Sequence, residues 1–343
     1  MKVIEYSHRL EYFNSGLLDR YFKDMTFCVF DIETLGLNGD LCPVVLAGLM
    51  TVEKDGSCRL TQYFAETPDD EVSLLKALDE YLSSFDYIIT YNGRHFDMPF
   101  IKKRASLLGL SDFSADPYNL DLYLIVNGHS PFRKMLKSLR QSSVEEYMGL
   151  SSDRLDEISG KESIDLYYKY LNCRDSSLKA SLMDRILLHN HDDLMQLYRI
   201  LPIIRQTDMH SAMNALGFPV KGENGWPNLN VRTLRLSARS LSIWGTYGGP
   251  GLTYTCFSSP ELPFNCVFDS SGSFEASVPV QNIRGNIYVN ALQLLDDASP
   301  VEMLGDHVNG FLILSRENKR NPLEINMISR ELLLQFMRKT PFF

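Results

Sequence analysis

Cysteine is scarce and unpatterned in this 343-residue chain: Cys28, Cys42, Cys58, Cys173, Cys256 and Cys266, with no CxxC pair. That scatter excludes a disulfide framework or a cysteine zinc site and fits buried thiols in a reducing cytoplasm. Long apolar runs are missing too, none approaching the roughly 20 residues of a membrane span. The opening MKVIEYSHRL lacks the pattern of a secretory signal, so neither export nor membrane insertion is expected. Internal repeats and low-complexity tracts are likewise missing. What is present is globular: 44% hydrophobic and 22% charged residues, in a length sufficient for two domains that each bury a core.

Positive charge is also in deficit. The formal net charge is −9, and residues 1–205 carry a balance of −8 against −1 for residues 206–343. Such an acidic region does not grip duplex DNA by bulk electrostatics, because phosphate affinity comes from neutralisation by Lys and Arg. A non-specific coating protein is therefore excluded. A nucleic-acid substrate is not, and the surplus carboxylates need a purpose.

The first part of the chain reads as an α/β layered domain. TFCVFDIE (26–33) is a strand, and PVVLAGLMTV (43–52) and CRLTQYFAE (58–66) form a hairpin around KDG. A helical stripe of Val72, Leu75, Leu78 and Leu82 follows Pro68. DYIITYN (86–92) is a short buried strand, DMPFIKKRASLLGL (97–110) a helix and NLDLYLIV (119–126) a fifth strand, with helices from about 133 to 204. Beyond 205 lie nine of the fifteen prolines, a crossing segment at 206–230, and short strands between Gly, Ser and Asn turns. The expected division is a domain at 1–205, a linker at 206–230, and a smaller β-rich domain at 231–343 closed by a helix at 325–339.

Three acidic elements stand out. Asp31 and Glu33 are two apart on a strand, so both leave the same face, at the end of a run (FCVF) that is buried on both. Two like charges there are costly unless something positive joins them, and carboxylate oxygens suit Mg²⁺ or Mn²⁺. Taken alone, a DxE is usually a solvated turn. Asp97 opens a helix after the turn of YIITYNGRHFD, where an acid is also an ordinary dipole-stabilising choice. On the long last helix, His189 and Asp193 are four apart and share a face; Asp192 competes for the inward direction, and His191 sits half a turn round.

In this order, FDIETLGL, YNGRHFD and HNHDD resemble the three motifs of the DEDD superfamily of 3′→5′ exonucleases, and the RNase H-like exonuclease-type domain of bacterial proteins. The resemblance covers roughly residues 24–205 and implies an RNase H-like fold, a mixed five-stranded sheet flanked by helices. It implies Asp31, Glu33, Asp97 and Asp193 as ligands of two Mg²⁺ or Mn²⁺ ions, about 4 Å apart as in two-metal sites generally. His189 would be the general base, as in the His-type subgroup; family members often carry Tyr there. Thr34 and Leu35 would meet the terminal nucleotide and Asn92 would orient the site, although each reads equally as a turn or core residue.

The chemistry so implied is metal-dependent 3′→5′ hydrolysis of single-stranded DNA or RNA. A structure-specific endonuclease and a silent binding module on the same fold are the alternatives. Lys102, Lys103 and Arg104, and Arg133, Lys137 and Arg140 on one helical face, read as backbone-tracking clusters or as solvated faces. Asp121 is a fifth acid, for which a structural role is expected. Arg232, Arg235 and Arg239 near Trp244, Tyr247, Tyr254 and Phe257 read as a stacking platform or as an ordinary β core. Substrate positioning and protein contact through 231–343 are both left open.

Overall fold

Apolar residues in unbroken succession need cover on both faces, and FCVF has it. In the computed structural model, which describes residues 1–150, 153–156, 158–249, 251–303 and 307–342, this run lies in the middle of a sheet. The chain divides into two compact units, residues 1–15 with 25–207 and residues 16–24 with 208–343.

The first unit holds β1 (Lys2–Arg9), β2 (Phe27–Thr34), β3 (Val44–Val52), β4 (Ser57–Phe64), β5 (Tyr87–Thr90) and β6 (Tyr118–Asp121) in the order β1-β4-β3-β2-β5-β6. The first four pair antiparallel, while β2, β5 and β6 run parallel. Helix α1 (Gly16–Phe22) groups with the second unit, and the first is completed by α2 (Glu71–Leu82), α3 (Asp97–Leu107), α4 (Leu122–Gly128), α5 (Phe132–Met135), α6 (Gln141–Tyr147), α7 (Gly160–Asn172) and α8 (Ser176–Arg199). One apolar cluster joins Cys28, Phe30, Ile32 and Leu49 of the sheet to Leu74, Leu75 and Leu78 of α2 and Ile101 of α3. Another joins Leu46 and Phe64 to Leu166 and Tyr167 of α7 and Leu182 and Ile186 of α8. Because strand side chains alternate, the even residues of β2 feed the α2–α3 layer and Asp31 and Glu33 emerge toward α8.

The mixed sheet flanked by helices is as expected, with one strand more than the five read from the sequence. β1 was missed because KVIEYSHR is an edge strand in which every residue is exposed or only half-buried, so it carries no buried apolar run. The segment 119–126 is not one strand. It turns helical at Leu122, where the Asp121 side chain accepts from the Leu124 amide as an N-cap. Arg133, Lys137 and Arg140 do not share a helical face, since α5 ends at Met135 and Arg140 precedes α6. Lys102, Lys103 and Arg104 are committed to Asp116, Asp40 and Glu71. All six cysteines are free thiols, but only Cys28, Cys58 and Cys266 are fully buried.

In the second unit, α9 (Met209–Leu216) lies within the segment read as a linker and is followed by β7 (Phe218–Val220). β8 (Leu229–Leu236), β9 (Ser240–Tyr247), β10 (Tyr254–Cys256), β11 (Asn265–Phe268) and β12 (Ser273–Pro279) complete an antiparallel sheet ordered β10-β11-β12-β9-β8-β7. A smaller sheet is built from β13 (Gln281–Ile283), β14 (Asn286–Asn290), β15 (His307–Val308), β16 (Phe311–Arg316) and β17 (Lys319–Arg320), beside the single-turn helices α10 (Ala291–Leu294) and α11 (Ser299–Glu302). The closing helix, α12 (Pro322–Lys339), begins with proline, which fits the first helical turn. Trp226 packs its ring against Phe268 and Phe336 at 4.8 and 5.2 Å. Of the interleaved aromatics, Tyr247 is buried while Trp244 and Phe257 are exposed. Among the described residues, no helix is long and apolar enough to cross a membrane.

Candidate active site

A glycine inside an apolar strand often marks a close approach, and Gly48 of β3 is one. It stands opposite Asp31 in the sheet register, and a Cβ there would fall 2.1 Å from Asn190 Oδ1 and 2.6 Å from Leu194 Cδ1. Helix α8 therefore lies closer to the sheet than any side chain at 48 would permit. Fully buried Asn190 fixes its rotation: its amide donates to Asp31 Oδ2 at 2.9 Å. Gln62 Nε2 donates to both Asn190 Oδ1 and the Leu187 carbonyl, each at 2.9 Å. With α8 so fixed, His189 Nε2 stands 3.7 Å from Glu33 Oε1 and 3.6 Å from Asp193 Oδ2.

Asp97 reaches the same end of β2 by a different route. The turn after β5 holds Asn92 at φ +67°, and Asp121 accepts the Asn92 amide at 2.9 Å and the Arg94 amide at 3.0 Å. Gly93 passes over Thr90, where a Cβ would lie 2.5 Å from the hydroxyl oxygen. Helix α3 then starts with Asp97 buried, its Oδ1 accepting the Ile32 amide of β2 at 3.1 Å. Asp121 thus organises the turn that delivers Asp97, the structural role expected for it.

A third contribution was not foreseen. Residues 154–156 form a strap beside α8, fixed because Asp192 Oδ2 accepts the Leu155 and Asp156 amides at 2.5 and 2.9 Å. From it, Arg154 donates to both oxygens of buried Glu145 at 2.7 and 2.8 Å, to Asp156 Oδ1 at 3.2 Å and to Asp193 Oδ1 at 2.6 Å. Asp156 Oδ2 lies 2.5 Å from His189 Nδ1, so the Nε2 atom is the one turned to the acids. The clue in sequence was SSDRLDE, a charged run with no helical or strand period. Asn190 was likewise passed over inside HNHDD.

The electrostatics follow from burial. Desolvation, then Asp97, Asp193 and Glu33 as like charges, hold the Asp31 carboxyl well above the usual range despite the bond from Asn190. Burial lifts Glu33 to about 7 against the pull of His189, and lifts Asp97 to about 7 against the Ile32 amide. Asp193 is raised by desolvation although His189 and Arg154 oppose it. Burial alone would lower His189, yet the Asp156 bond and the charges of Asp193 and Glu33 carry it up to about 9. Several carboxyls here are costly to ionise together, and groups perturbed in this way concentrate at functional sites.

Of the residues picked from sequence, Glu33, His189 and Asp193 each offer a ligand atom within 4.8 Å of the others. Asp31 and Asp97 lie outside that trio, each held by its own donor; Asp31 feels the charges of Glu33 and Asp193, and Glu33 feels that of Asp97. Thr34 is buried and donates its hydroxyl to the Gly36 carbonyl at 2.8 Å. Leu35 is half-buried against the α7–α8 apolar cluster, and Asn92 occupies the turn before Asp97.

A family model described as the RNase_H superfamily matches residues 28–204. Among solved structures, the chain is similar to the family B DNA polymerase from the hyperthermophilic archaeon Pyrobaculum calidifontis: 23% identity, TM-score 0.41, 56% of this chain and 26% of the polymerase. It is also similar to E. coli Exonuclease I in complex with a dT13 oligonucleotide: 11% identity, TM-score 0.31, 64% of this chain and 54% of the exonuclease. The match thus spans about a quarter of the one protein and about half of the other. No curated protein matches.

Proposed function

This chain belongs to the RNase H superfamily, and on that premise we propose that it is a metal-dependent 3′→5′ exonuclease acting on single-stranded or short DNA or RNA. The observation that carries the reading is the convergence of Glu33, His189 and Asp193 within 4.8 Å, beside Asp31 and Asp97. Buried like charges of this kind fit a divalent cation bound through oxygen, Mg²⁺ or Mn²⁺. Asp31, Glu33, Asp97 and Asp193 would hold two such ions. When bound, they supply neutralisation of the acids, a more acidic water and stabilisation of the leaving oxygen.

The chain's own residues do the rest. Asp156 holds His189 Nδ1, so Nε2 is the atom that would accept the proton of the attacking water. Neutralisation of Glu33 and Asp193 by cations would remove two of the charges that keep this imidazole protonated. Arg154 occupies Asp193 Oδ1 and leaves Oδ2 for the site. Thr34, which ends β2, and Leu35, which follows it, would meet the terminal nucleotide, and Asn92, in the turn before Asp97, would orient the site. Residues 1–205 would then be the catalytic domain, joined through 206–230 to a β-rich domain at 231–343 for substrate positioning or protein contact.

A denaturing-gel time course tests this. The substrates are 5′-labelled single-stranded DNA and RNA with Mg²⁺ or Mn²⁺, beside EDTA and Asp193→Ala controls. A ladder shortening one nucleotide at a time from the 3′ end, absent from both controls, is the expected result. A single internal cut would replace the exonuclease with an endonuclease, and intact strands throughout would overturn the catalytic reading.

A further inference from the structure

His8 of β1 and His191 of α8 face each other with their Nε2 atoms 3.0 Å apart. Neither takes part in the acid cluster described above. The other ring nitrogen of His191, Nδ1, lies 3.1 Å from Asp192 Oδ1. An ionised carboxylate only accepts, so Nδ1 carries the proton, and the Nε2 of a neutral His191 is a bare lone pair aimed at His8. Either His8 donates an N–H to it or one cation joins both nitrogens. Two imidazoles bound to one metal at ~2.0–2.1 Å place their nitrogens about 2.9 Å apart at a right angle and about 3.4 Å apart at a tetrahedral angle, a range that includes the observed spacing. A carboxylate on the far nitrogen is also the arrangement that orients metal-bound histidines and raises their basicity.

The surroundings favour rigidity without closing the site. Tyr6 stacks on His8 at 6.3 Å and meets His191 edge-on at 5.2 Å, which limits both rings. Both histidines remain partly exposed, so water can complete a coordination sphere.

We propose that His8 and His191 form a second metal site, separate from the oxygen-rich cluster, that takes a divalent ion of the zinc class. Imidazole ligands suit Zn²⁺, Ni²⁺ or Cu²⁺ and disfavour Mg²⁺, so the two sites differ in kind. They also share a neighbour. Asp192 supports His191 with one oxygen, and with the other it holds the Leu155 and Asp156 amides of the strap that orients His189. An ion on the histidine pair therefore bears on the strap of the proposed catalytic base.

Calorimetric titration of Zn²⁺ into the full chain carrying Glu33→Gln and Asp193→Asn isolates this site from the acid cluster. One ion per chain is expected, uncompeted by excess Mg²⁺, with His8→Gln and His191→Gln each weakening binding by about tenfold or more. Absence of Zn²⁺ binding in that background, or binding that survives both histidine variants or yields to Mg²⁺, would overturn the site. Should the histidine variants misfold, ring ¹⁵N resonances of the parent decide. Zn²⁺ must shift both Nε2 signals, and an unmoved Nε2–H on His8 would mean a plain histidine–histidine hydrogen bond.

Discussion

Helix α8 buries His189, Asn190, Asp192 and Gln196 in the first unit, while α12 buries Glu324, Asn326, Ser329, Glu331 and Gln335 in the second. By polar burial alone the two helices are alike. In α12 the Asn326 amide donates to Tyr21 Oη at 3.0 Å and to the His210 carbonyl at 2.9 Å, and its oxygen accepts from Asn214. Ser329 donates to the Ile325 carbonyl, Gln335 to the Leu294 carbonyl, and Glu331 is paired with Arg330. Asn326, Ser329, Glu331 and Gln335 each close on a neutral partner or a matched charge. In α8, His189 and Asp193 face Glu33, and the carboxyls around them raise one another's pKa. A buried polar residue is thus weak evidence of a site, whereas a buried surplus of one charge sign is strong evidence, because packing alone gives no reason to assemble it.

The largest effect that can break this comparison comes from Arg154→Met. It strips the cation from Glu145, which is 1% exposed, and from Asp156 and Asp193 together. Breaking such a buried pair costs about 3–5 kcal/mol. Asn326→Leu, its counterpart in the second unit, leaves neutral groups unpaired and costs about 1–3 kcal/mol. Urea unfolding measures both, and Mn²⁺ separates them, recovering part of the Arg154→Met loss and none of the Asn326→Leu loss. Equal recovery in both, or in neither, would erase the distinction between the helices.

Glycine substitutions sharpen it at smaller cost. Gly48→Ala drives a methyl into Asn190 and Leu194, and Gly245→Ala drives one to 2.3 Å from the Asn230 carbonyl and 2.6 Å from Phe274. Overpacking of this kind costs about 1–3 kcal/mol in either unit. Only Gly48→Ala displaces α8 from β2, so it alone slows cleavage, by about 10²-fold if the acids move by an ångström. Thermal unfolding and the gel assay together check this. A Gly245→Ala enzyme that loses cleavage equally would mean that the second sheet contributes to the reaction.

The helical stripes, the Asp31–Glu33 pair and the His189–Asp193 spacing were legible because each follows the period of its strand or helix, and Asp97 because it opens a helix directly after a turn. What was not legible lacks a period. Arg154 and Asp156 act from an irregular strap, and their partners Glu145 and His189 are 9 and 33 residues away in sequence. Gly48 did leave a signal, a glycine inside VVLAGLMTV, but what fills the space above it is set by α8, far along the chain. Asp121 looked like part of a fifth long strand because six of the eight residues of NLDLYLIV are apolar. Only its N-cap bond reveals the change from strand to helix.

The smallest effect concerns pH and distinguishes the acid cluster from an inert one. Asp31, Glu33, Asp97 and Asp193 have folded-state pKa values above their ordinary range, with Glu33 and Asp97 at about 7. A carboxyl raised in the fold stabilises it while protonated, and that contribution is lost as pH rises from about 4 through about 7. His189, raised to about 9, contributes below its ordinary value and is lost as pH climbs toward 9, so both slopes descend. Without metal, the first unit should therefore melt at a lower temperature at pH 8 than at pH 5. Mn²⁺ at ten times its Kd adds ~1.4 kcal/mol. That corresponds to about 3–6 °C for a unit of this size. The gain appears at pH 8, where the acids are free to bind, and shrinks at pH 5, where protons already occupy them. Asn326, Ser329, Gln335 and the Arg330–Glu331 pair of α12 close on neutral partners or a matched charge, so these contacts do not respond to Mn²⁺. A metal-free melting point that rises from pH 5 to pH 8, or an equal Mn²⁺ shift at both, would mean that the acids are already neutralised within the fold.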